Sequence, residues 1–393
     1  MKKDIAFSLS IQREIEKHRL NVESEVNKSM NELGIRTLLH QSGIQKEKGF
    51  PTVTLLFALI VLPVIKQSLT ALWSGKFFEN MLQAHKDTYY RFLNHPCFNW
   101  RKLLALLVCR EIARTDRTPF NEKTIIADDT LLGKTGEKME LVSYHHDHTT
   151  NRSKLGYQML QIGLHNGTRF YPLDLGFHTS KNRPNDKLRE MDKRTNGWKR
   201  RKECFEKKTD LLVQMIRRYW QKGISARFVL FDSWFACDKV ISQILDIGYG
   251  VICRLKANKT HYHYQGKPMT LPQLWHTVAR HEIRWISSWQ IKAAILKVEL
   301  PLAGEVSIVF VRWSKKNWHA FLCTEAGMEI HEVLDYYSRR WAIECYFRDC
   351  KQLLGLGKGQ SETFDAVWPG HRLWRFATSS SSTSWPNDSL PAP

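Results

Sequence analysis

The chain lacks the devices that hold small secreted or metal-scaffolded proteins together. Its eight cysteines, at 97, 109, 204, 237, 253, 323, 345 and 350, form no Cys-x-x-Cys pair and keep no regular spacing. That argues against a zinc ribbon or a disulfide framework, and for reduced, mostly buried thiols in a cytosolic protein. Long apolar runs are missing as well. The longest, Val53 to Ile65, is interrupted by Pro63 and closed by Lys66. It is too short to cross a bilayer and too far inward for a signal peptide, so a buried core helix explains it better. Internal repeats are absent. Acidic residues are scarce: 39 Asp and Glu stand against 59 Lys and Arg, a formal net charge of +20. Such an excess repels itself unless a polyanion neutralises it, which points to nucleic acid over a merely solvated basic surface. With 393 residues, 42% of them hydrophobic, the chain can bury a full core in two or three structural units.

Residues 1–120 read as helical, with apolar residues at helical spacing through Ile11 to Leu39, Leu55 to Leu72 and Leu103 to Ile112. From Thr124 the texture changes to short apolar runs at Ile125–Ala127, Tyr157–Gly163 and Phe170–Gly176, which read as strands. His165-Asn166-Gly167 joins the last two, and Asn-Gly favours a tight hairpin. Further strands are expected at Arg227–Phe231 and Gly250–Leu255, with a helix from Asp238 to Leu245 between them, the pattern of a parallel crossover. A β-rich segment follows Lys259, and one long helix is expected from Met328 to about Leu354. The order is three antiparallel strands, helix, strand, helix, strand, β insertion and helix. That is the ribonuclease H-like order with one insertion.

Metal-dependent phosphoryl transfer takes hard oxygen ligands. Asp128 and Asp129 close the apolar run Thr124–Ala127, and Asp232 closes Arg227–Phe231. Ends of parallel strands are where α/β sheets carry their sites, although either position alone reads equally well as a turn or cap residue. A third carboxylate is Glu344. On one continuous helix, Tyr337, Arg340, Glu344 and Lys351 fall in a single stripe about 60° wide. Leu334, Trp341 and Phe347 share or flank it, so the stripe faces inward. Buried Arg, Glu and Lys are costly unless paired or used, and a structural ion-pair ladder is the alternative.

The spacing of Tyr337, Arg340, Glu344 and Lys351 resembles the YREK signature of bacterial insertion-sequence transposases of the DDE type, the IS-four-like group. Asp128-Asp129-Thr130 is similar to that family's first acidic motif and Asp232-Ser233-Trp234-Phe235 to its second. The β-rich stretch from Lys259 to Cys323 sits where the family carries an insertion. The resemblance implies an α/β protein with a ribonuclease H-like catalytic core, a β-rich insertion and an N-terminal helical domain. The divisions are a helical DNA-binding or dimerisation region over 1–120, the core over 121–258, the insertion over 259–327, the YREK helix over 328–365 and a low-complexity tail over 366–393. It also implies a DNA transposase that cuts and strand-transfers the inverted-repeat ends of double-stranded DNA by cut-and-paste. Such an enzyme works with Mg2+, or Mn2+ in its place, as a homodimer in a synaptic complex in the bacterial cytoplasm, close to the nucleoid. Asp128, Asp232 and Glu344 become the catalytic metal ligands, with Asp128 preferred to Asp129 because Asp-x-Thr fits the motif. Tyr337 and Arg340 become phosphate contacts near the transposon end, and Lys351 a contact to terminal DNA. A non-catalytic remnant that still binds DNA ends is the rival, and the YREK stripe argues against a simple nuclease or junction resolvase.

Other signals are weaker. Tyr144-His145-His146-Asp147-His148 reads as a surface loop near DNA rather than a metal site. The basic stretch Ser180–Lys208, with Lys199, Arg200, Arg201 and Lys202 at its centre, reads as a DNA-backbone contact, the alternative being a solvated helix face. Trp285 or Trp289 is a candidate for stacking on an extruded base, with core packing as the alternative. After Ala366, where the resemblance calls for an apolar helix, the chain runs into a Ser-rich stretch without periodicity. A shifted frame over 371–390 can spell an amphipathic helix, so a frameshifted or truncated, aggregation-prone and weakly active copy is expected.

Overall fold

A computed structural model describes residues 21, 23–64, 84–147, 150–185, 188–312, 317–359 and 361–370. The expected N-terminal periodicity before residue 21, the break at Gly75 and the tail over 371–393 lie outside the described residues. Among the described residues, 23–32 are helical and are followed by α1 (Ile35–Gln41), α2 (Thr52–Val64), α3 (Lys86–Leu93) and α4 (Trp100–Thr115). Asn99 caps α4 by accepting the Lys102 N–H at 3.0 Å, and Trp100, Leu103, Leu104 and Leu107 bury one side of it. No described helix is long and apolar enough to cross a membrane. All eight cysteines are free thiols.

The rest of the described chain is a mixed α/β arrangement on one large, mostly antiparallel sheet, with twelve strands among the described residues. Strands β1 (Thr124–Gly133), β2 (Ser143–Asp147), β3 (Arg152–His165) and β4 (Phe170–His178) come first, followed by α5 (Asn196–Glu203) and α6 (Lys208–Trp220). Next are β5 (Phe228–Phe231), α7 (Asp238–Ile247) and β6 (Gly250–Leu255). The β-rich segment contributes β7 (His261–Tyr264), β8 (Lys267–Thr270), a short α8 (Leu271–Thr277), β9 (Arg284–Ile286), β10 (Ile291–Leu300), β11 (Gly304–Arg312) and β12 (Trp318–Cys323). Helices α9 (Ile330–Ser338), α10 (Trp341–Gln352) and α11 (Phe364–Gly370) close the described chain.

The spatial order is β2-β3-β1-β5-β6-β12-β11-β10-β7-β8, with β4 on β3 and β9 on β10. Among the described residues, β1–β5 and β5–β6 are the only parallel pairs. Between the latter two, α7 ends at Gly248, whose φ of 108° a side chain would resist. Side chains on these central strands alternate between two cores. Ile126, Leu132, Phe228, Leu230 and Ile252 face the core built with α9, α10 and the N-terminal helices. Ile125, Ala127, Val229, Phe231 and Val251 face the core built with α6 and α7.

Several local expectations are corrected. Strand β1 does not stop at Ala127 but runs to Gly133, because it pairs with β3 along its whole length. The His-rich segment is not a loop: Ser143–Asp147 is strand β2, paired with the start of β3. The Asn-Gly hairpin has four loop residues, 166–169, with Gly167 at φ 94° and the Asn166 side chain accepting the Thr168 and Arg169 N–H groups. The segment after Lys259 forms no separate sheet; β12 pairs with β6 and so extends the central one. The long helix at 328–354 is two helices. At the junction the N–H groups of Arg339, Arg340, Ala342 and Ile343 each bond the carbonyl three residues back, a local tightening of the turn. Helix α11 crosses the division drawn at 366, with Phe364 to Val367 buried.

Candidate active site

Strand alternation decides which acidic side chains meet. Asp128 lies in register with Ile126 and Thr130 on the α10 side of β1. Its Oδ2 accepts Arg340 Nη1 at 2.9 Å, and its Oδ1 accepts the Asp129 N–H at 2.8 Å. The other arm of the Arg340 fork, Nη2, donates to Glu344 Oε1 one turn along α10. One guanidinium therefore bridges two carboxylates that are 216 residues apart in sequence, from β1 to α10. Asp232 follows β5, whose Phe228 and Leu230 point to this same core, and its Oδ1 accepts the Ser233 N–H at 2.6 Å. Asp129 points the other way and is ion-paired with Lys208 at the start of α6.

The electrostatics follow from this crowding. Burial pushes the Asp128 carboxyl up to about 6, with Asp129 and Glu344 adding repulsion and Arg340 pulling it down. Burial alone would lower the Arg340 pKa, but Tyr337, Asp128, Glu344 and Asp232 together raise it above its usual value. Its guanidinium lies 6.0 Å from the centre of the Tyr337 ring, which packs on Phe321. Burial also raises the Tyr337 phenol and lowers Lys351. Lys351 Nζ donates to Thr130 Oγ1 at 2.6 Å, so the far end of the stripe also reaches back to β1. Across the break between α9 and α10, Arg340 and Lys351 bond to β1 and Glu344 to Arg340, while Tyr337 packs on Phe321 of β12.

The basic stretch divides in two. Lys199 and Lys202 are exposed on α5, one turn apart. Arg200 and Arg201 are buried, which corrects the expectation that they meet DNA. Arg200 Nη2 lies 2.6 Å from Asp365 Oδ1, and Arg201 pairs with both Asp365, at 2.9 Å, and Glu140, at 2.6 Å. They tie α5 to α11 and to the loop before β2. Trp285 is 59% exposed, whereas Trp289 is partly buried and donates to Asp335 Oδ1 at 2.9 Å.

Sequence reasoning missed three contacts at this site. Thr130 anchors Lys351. Lys134 donates to the Gly357 and Gly359 carbonyls at 2.6 and 2.5 Å, tying the end of β1 to the loop after α10, and burial lowers its pKa to about 8. Lys208 sits on Asp129 and over the Trp234 ring. Only the hydroxyl of Asp-x-Thr carried a sequence signal, since the other two partners are set by chain segments far away.

A family model described as DDE superfamily endonuclease matches residues 71–282, a little over half of the chain. The chain belongs to the DDE superfamily. A second model, described as Transposase DDE domain, matches residues 204–368. The first range contains Asp128 and Asp232, and the second contains Asp232 and Glu344. A search of curated proteins finds no match. As a DDE-superfamily protein the chain has a transposase or endonuclease function, a nuclease-type activity on DNA, in a superfamily that generally uses divalent metals. Among the described residues, no three His, Cys, Asp or Glu side chains are grouped closely enough to hold a metal ion; Arg340 lies between Asp128 and Glu344 instead.

Proposed function

We propose that this DDE-superfamily chain is a transposase of the bacterial insertion-sequence type, cutting and strand-transferring DNA ends by cut-and-paste. Its catalytic carboxylates are Asp128, Asp232 and Glu344, on a ribonuclease H-like core. The strand order β4-β3-β1-β5-β6, with its parallel centre and antiparallel flank, supports that core. The observation that carries the site is the Arg340 fork, which bridges Asp128 and Glu344 from one side of the sheet. It also supports Asp128 over Asp129, whose carboxylate is turned to Lys208.

The donor chemistry suits a hard divalent cation: Asp128 and Glu344 are held by one guanidinium, and Asp232 adds to the negative field around it. Asp128, Asp232 and Glu344 would hold Mg2+ or Mn2+, which when bound activates the attacking oxygen and neutralises the leaving one. Arg340 offers a planar fork matched to a phosphate, and Lys351 a point charge steadied by Thr130. The net charge of +20 suits a duplex partner, with exposed Lys199 and Lys202 on the backbone and a homodimer joining two ends in the bacterial cytoplasm.

The test is cleavage of labelled duplex carrying the DNA that flanks the coding sequence, with Mg2+ or Mn2+. Asp232→Asn and Glu344→Gln abolish cutting while binding persists, because the carboxamide keeps the shape and loses the charge. Either variant cutting at the wild-type rate overturns the assignment.

A further inference from the structure

No proline or glycine stands where α9 ends and α10 begins; the chain there reads Tyr336-Tyr337-Ser338-Arg339-Arg340-Trp341. Sharp helix breaks ordinarily fall at such residues, so this one has another cause. Part of it is local. Ser338 Oγ donates to the Asp335 carbonyl at 2.7 Å, and a serine bonded back along its own helix bends it. The rest is tertiary. Tyr336 donates its hydroxyl hydrogen to the Asn121 carbonyl, and Arg339 Nη1 donates to the Glu122 carbonyl at 2.6 Å. The Arg339 guanidinium also lies 4.4 Å from the centre of the Tyr336 ring. Both carbonyls belong to the short 3-10 turn, Phe120–Glu122, that feeds the chain into β1.

Arg227, at the entrance of β5, holds the same tyrosine, its Nη1 donating to the Tyr336 hydroxyl oxygen at 3.1 Å. The Arg227 backbone in turn laces the parallel strands together. Its N–H donates to the Lys123 carbonyl and its carbonyl accepts the Gly250 N–H, each at 2.9 Å. Tyr336 and Arg339 thus pin the helix junction to the entrances of the two strands that lead to Asp128 and Asp232. Arg340, the residue after Arg339, bridges Asp128 and Glu344. Any change in the direction of α10 at this junction shifts that bridge and the Glu344 carboxylate together, relative to both aspartates. We propose that Tyr336 and Arg339 are positioning residues, which act through Arg340 and Glu344 by fixing where α10 starts against the strands. This rests on the reading of Asp128, Asp232 and Glu344 as the cutting site.

The experiment uses the full chain and the duplex cleavage described above. Arg339→Met keeps the stem of the side chain and loses its donors. Because Arg339 is only half-buried, the variant keeps its urea midpoint within about 0.5 M of wild type. Its kcat falls about 10- to 100-fold while KM for the duplex stays within about two-fold, the mark of a displaced reacting group rather than a lost substrate contact. Tyr336→Phe, which keeps the ring, shows the same split. Arg339→Lys, which still offers a donor, recovers most of the rate. Mn2+ binding is read by electron paramagnetic resonance in Arg340→Gln, where no guanidinium competes, and adding Arg339→Met there weakens it about 10- to 100-fold. Unchanged kcat and Mn2+ affinity refute the positioning role while the cutting site stands. So does a loss that comes only with a matching fall in the urea midpoint, or one that Arg339→Lys does not relieve. If Glu344→Gln cuts as wild type does, the reading of the site itself falls, and the positioning role with it.

Discussion

In the Asp365→Ala variant, Arg200 loses the carboxylate 2.6 Å from its Nη2, and Arg201 loses the one 2.9 Å from its Nη1. Asp365 is fully buried, and both arginine side chains are only 4% exposed, so water cannot replace it. Arg201 keeps Glu140, and Arg200 keeps the Phe98 carbonyl at 3.2 Å but loses its carboxylate partner. Breaking a buried pair from one side costs about 3–5 kcal/mol, a large part of a typical net stability of about 5–15 kcal/mol. At a urea slope of about 3 kcal/mol/M, the unfolding midpoint falls by about 1–1.7 M. Adding Arg200→Met removes the stranded charge, so the double variant is more stable than Asp365→Ala alone, the sign of direct coupling. Urea titrations followed by tryptophan fluorescence and circular dichroism measure both. A midpoint change under about 0.3 M for Asp365→Ala, or a double variant no more stable than the single, refutes the claim that these cations are structural.

Lys199→Glu with Lys202→Glu leaves the urea midpoint in place and lowers the slope of log affinity against log salt by about 1.8, two phosphate contacts' worth; an unchanged slope removes this face from the DNA interface. Arg340→Gln frees Asp128 and Glu344 from a charged hydrogen-bonded partner, so Mn2+ binding read by electron paramagnetic resonance tightens about 10- to 100-fold; equal affinity means that Arg340 and the metal do not compete. Asp129→Asn leaves cleavage within a few-fold of wild type, and its loss would move the ligand from Asp128. Stability falls as pH drops from about 6.5 towards 4. His145, facing Ser143, His178, Lys208 and Asp129, and His165, near Arg339, are pushed by burial to about 4, so the unfolded chain takes up protons first. A urea midpoint equal at pH 7.5 and 5 sinks that account.

The local sequence determined what repeats locally. Apolar runs over 125–127, 157–163, 170–176 and 228–231 became strands because a short continuous apolar run, bounded by polar and turn residues, is carried by neighbours in the chain. The spacing of Tyr337, Arg340, Glu344 and Lys351 was legible for the same reason, and it survives the tightened turn at Arg339 because the backbone there keeps helical dihedrals. Tertiary structure decided everything that depends on a distant partner. Four consecutive cations, Lys199 to Lys202, look alike in sequence, yet Asp365, 165 residues beyond Arg200, draws two of them into the core and leaves two in water. Asp128 and Asp129 are equivalent carboxylates until β3 fixes the register of β1 and turns one to Arg340 and the other to Lys208. Strand β2 exists because β3 offers it an edge, not because its His-rich sequence favours a strand. Periodicity says which side of an element is apolar; only the packed neighbours say which charge that side will meet.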